Sequence, residues 1–186
     1  MFHLAKECRR SLEAANVRLI ATYFPPATFT GEAADFVVRW YGSSLYLLGE
    51  RPLWPAKRDR TIYRFTWLRS VHDLVSIPLM VLPDGSGQVQ TRVLKGTAWS
   101  PQSKSISVTA ADVSRIETLI DTAEFWEMTT EGGSSGCDGA EWILEGNRRG
   151  LYHVVSRWNA RKTPLGKAAL ALIELSGYKA PDAEIY

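Results

Sequence analysis

The sequence predicts an α+β protein with a mostly antiparallel sheet and helices packed on one face. Segments that resemble strands follow one another with short turns between them. The regular alternation of one strand with one helix, which is typical of a parallel sheet, is absent. A length of 186 residues fits one domain, and we expect residues 31–180 to form it, with residues 1–30 as an N-terminal helix or extension.

Strand segments are recognised by β-branched and aromatic residues bounded by turn residues. Those of the first half of the domain are 61–69, 74–82, 88–95 and 104–108. Within residues 61–69, alternation places Tyr63, Phe65 and Trp67 on one face. Since Pro78 has no N–H to donate, the second strand is expected at a sheet edge or bulged.

Amphipathic helices are predicted where apolar residues recur every three to four positions. The segments with this pattern are 3–15, 30–50, 109–128 and 163–177. The second should turn one apolar stripe inward, made of Phe36, Val37, Trp40, Tyr41, Leu45 and Leu48. Thr30 is its expected cap, Thr109 with Asp112 resembles a capping box, and Thr163 precedes Pro164 at a favourable first helical position.

Composition restricts the classes of function and location. The net charge of +2 lacks the strong basic excess that is typical of nucleic-acid binders. No apolar run approaches the roughly 18 residues of a membrane span, and charges interrupt the first 21 residues, so a secretory signal is not predicted. We therefore expect a cytoplasmic protein that binds neither nucleic acid nor membrane.

Cysteine and histidine are few and widely spaced. Cys8 and Cys137 are interpreted as free thiols, with a single disulfide between them left open. His3, His72 and His153 have none of the spacings typical of metal sites. The sequence therefore predicts no metal and no cofactor.

The stretch "CDGAEWILEGNRRGLYHVVSRWNA", residues 137–160, is predicted to be a β-hairpin. A three-residue loop, 148–150, would pair Glu145 with His153 and Glu141 with Arg157 on one face. The opposite face would be apolar, with Trp142, Leu144, Tyr152, Val154 and Trp158. A four-residue loop is disfavoured because it would place large apolar groups beside His153 and Arg157.

This hairpin, together with the upstream run "YRFTWLRSVH", resembles an uncharacterised family of bacterial proteins with a DGxxWxLE…YHxVxRW pattern. The resemblance extends over residues 31–177 and implies a sheet–helix–hairpin–helix layout without implying an activity. Asn159 stands where the relatives more often carry serine. The matching positions are Tyr63, Arg64, Trp67, Arg69, His72, Asp138, Gly139, Trp142, Leu144, Glu145, Tyr152, His153, Arg157 and Trp158.

The candidate site residues are Asp138, Glu141, Glu145, His153, Arg157 and Trp54. In a catalytic interpretation His153 is a general base that Glu145 orients, with Asp138 nearby. In a structural interpretation the same charges form exposed cross-strand pairs worth roughly 0.2–1 kcal/mol each. Trp54, between two prolines, either forms a contact surface or folds back as a lid.

Abundant Trp, Tyr and Arg without a recognisable catalytic motif favour a non-catalytic protein-binding module. Within that class, the specific hypothesis is an immunity-type protein that binds and neutralises a bacterial toxin. Two alternatives remain open. One is a hydrolase with an Asp/Glu/His site on the hairpin, and the other is a small-ligand binding protein that uses the aromatic face of residues 61–69.

Overall fold

The computed structural model describes residues 19–96, 98, 100–133, 136 and 138–186. The helix predicted at 3–15 and both cysteines lie outside these residues. The described strands are β1 (Thr61–Arg69), β2 (Leu74–Val81), β3 (Gly87–Leu94), β4 (Gln102–Val108), β5 (Ala140–Arg148) and β6 (Leu151–Trp158). The described α-helices are α1 (Ala34–Leu47), α2 (Ala110–Thr122) and α3 (Pro164–Ser176).

The six strands form one sheet in the order β4-β3-β2-β1-β5-β6, and every neighbouring pair is antiparallel. The predicted α+β class and antiparallel sheet are therefore confirmed. No helix among the described residues has the length and apolarity needed to cross a membrane.

Both faces of the sheet are covered. Tyr63, Phe65 and Trp67 share one face, as predicted, and belong to a large apolar core with buried residues of α2 and α3. A second core on the opposite face contains Leu68 of β1 and Tyr41 of α1. Helices on a single face were expected, but only α2 and α3 share one. The reason is that the opposite face also carries apolar residues, namely Leu68 of β1, Ile143 of β5 and Val154 of β6, against which α1 packs.

Capping chemistry defines two of the three helices. The Thr109 hydroxyl accepts from the Asp112 N–H and the Asp112 carboxylate accepts from the Thr109 N–H, which confirms the capping box before α2. The Thr163 hydroxyl likewise accepts from the Gly166 N–H at the start of α3. The expected Thr30 cap is wrong, because Gly31 has a φ of 79° and turns the chain before α1 begins.

Pro78 occupies a central strand rather than an edge. Its strand, β2, lies between β1 and β3. The β2–β3 register is the same at Ser76 opposite Arg92 and at Leu79 opposite Val89, so no residue is inserted. Two rungs of the ladder between these pairs are missing. The sheet therefore accommodates the absent N–H by omitting pairing at the proline, and the predicted edge position and bulge are both wrong.

The hairpin of β5 and β6 differs from the prediction by one residue. Its loop has two residues, Arg149 and Gly150, with φ values of 56° and 84°. Positive φ at both positions is typical of a type I′ turn, whose twist matches that of paired strands. Glu145 consequently lies opposite Val154.

That shift of one residue exchanges the faces of every β6 side chain relative to β5. Arg157 now lies opposite Trp142, and His153 lies opposite Gly146. The predicted pairs of Glu145 with His153 and of Glu141 with Arg157 are therefore wrong. The single apolar face is wrong as well. Trp142 and Leu144 share the face of α2 and α3, and the β6 residues on the α1 face include Tyr152, Val154 and Trp158.

Candidate functional site

Glu145 lies in a fully buried ion pair beneath the chain that follows α1. The Nε atom of Arg64 donates to Glu145 Oε2 at 2.8 Å, and Arg64 Nη2 lies 2.6 Å from the same oxygen. Arg64 Nη1 donates to the carbonyl of Arg51 at 2.7 Å and lies 3.4 Å from Glu50 Oε2. The Ser76 hydroxyl donates to Glu50 Oε1 at 2.9 Å. This network fixes residues 50–51 on the sheet.

The charge of Arg64 is maintained by its surroundings. Burial by itself lowers the pKa of the guanidinium, but the carboxylates of Glu145 and Glu50 reverse that effect, and the pKa is raised. The two carboxylates thus compensate the buried charge of Arg64. Glu145 has no solvent exposure, so its role is structural and it does not reach a ligand from solvent.

Trp54 folds back over this pair. Its ring centroid lies 6.0 Å from that of Tyr152, and the Tyr152 hydroxyl donates to Glu145 Oε1 at 2.9 Å. Trp54 is still 38% exposed. Of the two interpretations left open by the sequence, the lid matches the observed contacts, with part of the indole available to solvent.

His153 lies on the opposite face of the sheet from Glu145. Its Nε2 atom is 2.9 Å from the carbonyl oxygen of Met128, and its ring centroid is 5.1 Å from that of Phe125. A carbonyl oxygen can only accept, so Nε2 carries the proton. Burial lowers the pKa of His153, which favours the neutral form. The imidazole is a packing and hydrogen-bonding group at this position.

Asp138 and Arg157 are also separated from Glu145. Asp138 is exposed before β5, in a shallow depression with Ser70 and His72. Arg157 donates to the carbonyl oxygens of Thr129 and Thr130 at 2.9 and 3.2 Å. Arg157 thereby holds residues 129–130 against the edge strand β6. The hairpin residues proposed for a hydrolase do not come together in the structure.

Among the described residues, no group of three or more His, Cys, Asp or Glu side chains is arranged to hold a metal ion.

Glu141 is the predicted site residue that faces an open cleft. The cleft lies between α1 and the C-terminal end of β6 and has a volume of about 500 Å³. Phe36 and Trp40 of α1 contribute one aromatic wall, and Trp158 of β6 contributes another. The remaining described residues that line it are Ala33, Val37, Tyr41, Ser70, Glu131, Gly132, Gly133, Gly136 and Ser156. We call these residues together the α1 cleft.

Glu141 is oriented by two hydroxyl groups. The Ser156 hydroxyl donates to Glu141 Oε2 at 2.6 Å, and the Tyr41 hydroxyl lies 2.9 Å from Ser156 Oγ. Because the Ser156 proton points to the carboxylate, Tyr41 donates to Ser156. Burial raises the pKa of Glu141, and the two hydroxyl groups reduce that rise without abolishing it. The arrangement holds a partly buried carboxylate in a fixed position at the cleft.

Removing the charge of Glu141 should stabilise the protein near neutral pH. Its pKa is higher in the folded than in the unfolded chain, so its contribution to stability is complete below the unfolded pKa. That contribution is lost as the pH rises through the folded pKa. Glu141→Gln stays neutral and should unfold at higher urea than wild type at about pH 7, with no such gain at about pH 3.

The matched control is Glu32→Gln, which removes an exposed carboxylate from the approach to α1. Its urea midpoint should follow that of wild type at both pH values. An equal gain for Glu141→Gln at both pH values would contradict the prediction, since it would attribute the effect to packing rather than to charge.

Sequence reasoning missed the aromatic wall of the α1 cleft. Phe36 and Trp40 were assigned to the inward stripe of the helix, but they are 61% and 36% exposed. At about 100° per residue, Phe36, Trp40 and Leu47 fall on one side of α1, whereas Tyr41 and Leu45 fall well away from them. The sequence therefore carried a signal, namely two apolar sectors on one helix instead of one.

Comparison with known proteins adds no functional information. No protein-family model matches the chain, and a search of curated proteins gave no similar sequence. The resemblance described from the hairpin residues therefore stays a prediction.

Proposed function

We propose that this chain is a protein-binding module whose contact surface is the exposed side of α1 together with the α1 cleft. The observation that carries the proposal is the exposure of Phe36 and Trp40 at the mouth of this concave site. Their rings lie 5.9 Å apart, so they present one continuous aromatic surface. Leu47 extends it along the same side of the helix and is 52% exposed.

Several features of the surface support this function. Of the nine exposed large apolar side chains in the described chain, four belong to α1: Phe36, Trp40, Tyr46 and Leu47. Aromatic side chains exposed in a group are typical of interaction surfaces, and tryptophan is prominent among residues that dominate binding energy. Asp35 and Arg39 are exposed and lie on α1 beside these exposed apolar residues. Such a polar rim around an apolar centre is usual for protein interfaces.

The immunity-type role stays a proposal within this class. A protein that neutralises a toxin acts by occupying it, and this requires a stable one-to-one complex rather than turnover. The separation of Glu145 from His153 on opposite sheet faces supports binding over hydrolysis. Glu145 and His153 form hydrogen bonds to other groups of the same chain, namely Arg64 and the carbonyl oxygen of Met128.

Photo-crosslinking in the native host tests the proposal. A photoreactive amino acid at position 36 should yield one defined adduct, whereas the same group at position 151 should yield none. Leu151 is a suitable control because it is 66% exposed and lies at the turn of the hairpin on β6. Absence of an adduct at position 36, or equal labelling at both positions, would overturn the proposed surface.

Affinity for the captured partner should depend on both rings. Phe36→Ala and Trp40→Ala are each expected to weaken binding by about 30-fold, since central aromatic residues of interfaces contribute about 2 kcal/mol or more. Leu151→Ala should leave the affinity unchanged. Isothermal titration calorimetry on purified one-to-one complexes measures the effect. Circular dichroism melts verify that the variants stay folded, because neither side chain is buried.

A further inference from the structure

The α1 cleft combines aromatic walls with negative charge. Phe36, Trp40, Tyr41 and Trp158 contribute the rings, and Glu131 and Glu141 contribute carboxylates. None of the described residues that line the cleft is Lys, Arg or His. The lining therefore complements a positively charged group.

We propose that the α1 cleft receives the side chain of a lysine or arginine of the partner protein, with the aliphatic stem against the rings and the charged end at Glu141. The proposal rests on the proposed function, because it assigns the chemistry of the partner at the same surface.

The rings favour a cation that is carried on an apolar stem. The face of an aromatic ring attracts a positive charge with about 0.5–2 kcal/mol, and tryptophan is the most effective ring. Two of the four aromatic rings that line the cleft are tryptophans, Trp40 and Trp158. Lysine and arginine side chains carry methylene groups that bury well against such rings while the charge stays near polar groups. A small inorganic cation would leave this apolar wall unused.

Among the described residues, no lysine, arginine or histidine nitrogen forms a hydrogen bond or ion pair with the Glu141 carboxylate, although the charge of Arg157 acts on it. Its hydrogen-bond donor is the Ser156 hydroxyl, which is neutral. Arg157 is the nearest candidate cation, but its guanidinium nitrogens donate to carbonyl oxygens of residues 129, 130 and 156. The guanidinium or ammonium group of a partner would therefore meet an oriented carboxylate acceptor. A hydrogen bond between two charged groups is stronger than one between neutral groups.

Glu131 also lines the cleft. Its Oε2 atom accepts from the backbone N–H of Thr30 at 3.0 Å, so the chain before α1 fixes its position. Each oxygen of a carboxylate can accept more than one hydrogen bond, and Glu131 can therefore contribute a second acceptor to the bound cation. Two carboxylates on different elements favour the fork-like guanidinium over a single-point donor.

The test uses arginine amide acetylated at its α-nitrogen, with the equivalent citrulline amide as its uncharged isostere. Proton–nitrogen correlation spectra follow the indole N–H signals of Trp40 and Trp158. The arginine derivative should shift both signals with a dissociation constant on the order of 1 mM, as expected for a single side chain. The citrulline derivative should bind at least about tenfold more weakly, a factor that corresponds to about 1.4 kcal/mol.

Variants identify the acceptor. Glu141→Gln should weaken arginine amide binding by about tenfold or more, whereas Glu127→Gln, an exposed carboxylate outside the cleft, should not change it. Glu131→Gln should have an intermediate effect. Equal shifts from arginine and citrulline derivatives, or unchanged binding by Glu141→Gln with folded spectra, would overturn the proposal.

The outcome separates this proposal from the proposed function. If position 36 still crosslinks one partner while arginine amide leaves both indoles unshifted, the cation proposal fails and the module stands. If arginine amide binds and position 36 yields no adduct, the site takes a free cationic molecule and the partner side chain is overturned. Adduct formation together with selective arginine binding supports both the binding module and the cation site. Loss of the adduct after mutation of the partner's crosslinked lysine or arginine identifies the occupant of the cleft.

Discussion

Glu145→Leu is expected to lower the free energy of unfolding by about 3–5 kcal/mol, because it leaves the Arg64 guanidinium buried beside an apolar side chain. Both side chains of the pair have no solvent exposure, and Arg64 Nε donates to Glu145 Oε2 at 2.8 Å. Glu50 is the remaining carboxylate within reach, at 3.4 Å. Urea denaturation near neutral pH measures the change.

Two further variants assign the loss to the unpaired charge. The double variant Arg64→Met with Glu145→Leu removes both charges of the pair and should recover most of the loss. An apolar replacement of a buried pair is often neutral, and Glu50 keeps Arg92, whose Nε lies 3.4 Å from Glu50 Oε1. Glu174→Gln removes one partner of an exposed pair with Arg115, and its effect should stay within about 1 kcal/mol. If the double variant is as unstable as Glu145→Leu, the buried charge is not the cause and the prediction is contradicted.

Local chemistry explains why much of the fold could be predicted from the sequence. In residues 61–69, large aromatic side chains occupy every second position from 63 to 67, and β1 has the predicted bounds. Helix α3 starts after Thr163 and ends before Gly177, which has a φ of 69°, because both ends satisfy their backbone groups within a few residues. The capping box of Thr109 works in the same way. Each of these signals is complete within one short segment.

The errors arise where distant segments decide the structure. Pro78 is tolerated in a central strand because β1 pairs with β2 continuously on the other side. The hairpin register depends on Arg149 adopting a positive φ, which is uncommon for a residue other than glycine. One residue in that turn determines the face of every side chain in β6. The pattern of apolar and polar residues in the hairpin does not distinguish the predicted three-residue loop from the observed two-residue loop.

The candidate site was predicted in part for the same reason. Glu141 was identified as a binding residue, but its hydroxyl partners come from β6 and from α1. Tyr41 and Ser156 are 115 residues apart in the chain, so their hydrogen bond exists only after the sheet has formed under α1. The aromatic wall was visible as a second apolar sector, but the sequence does not say which sector packs inward. Packing against Leu68 and Val154 selects the side with Tyr41.

Trp142→Ala is expected to destabilise the protein by about 3–5 kcal/mol, the usual cost of removing a large aromatic side chain from a core. Trp142 is fully buried, and its ring centroid lies 5.3 Å from that of Phe65 and 5.5 Å from that of Trp67. Its indole N–H also donates to the carbonyl oxygen of Tyr186 at 2.7 Å. Thermal and urea denaturation should both show the loss.

Trp40→Ala is the matched control within the same protein, and it connects stability with function. It removes the same side chain from a position that is 36% exposed, so its cost in stability should be well below that of Trp142→Ala. Its effect on partner affinity should be large, as predicted for the α1 cleft. A destabilisation by Trp40→Ala as great as that by Trp142→Ala would show that the indole supports the fold. The exposed ring would then no longer argue for a partner, because stability alone would explain its presence.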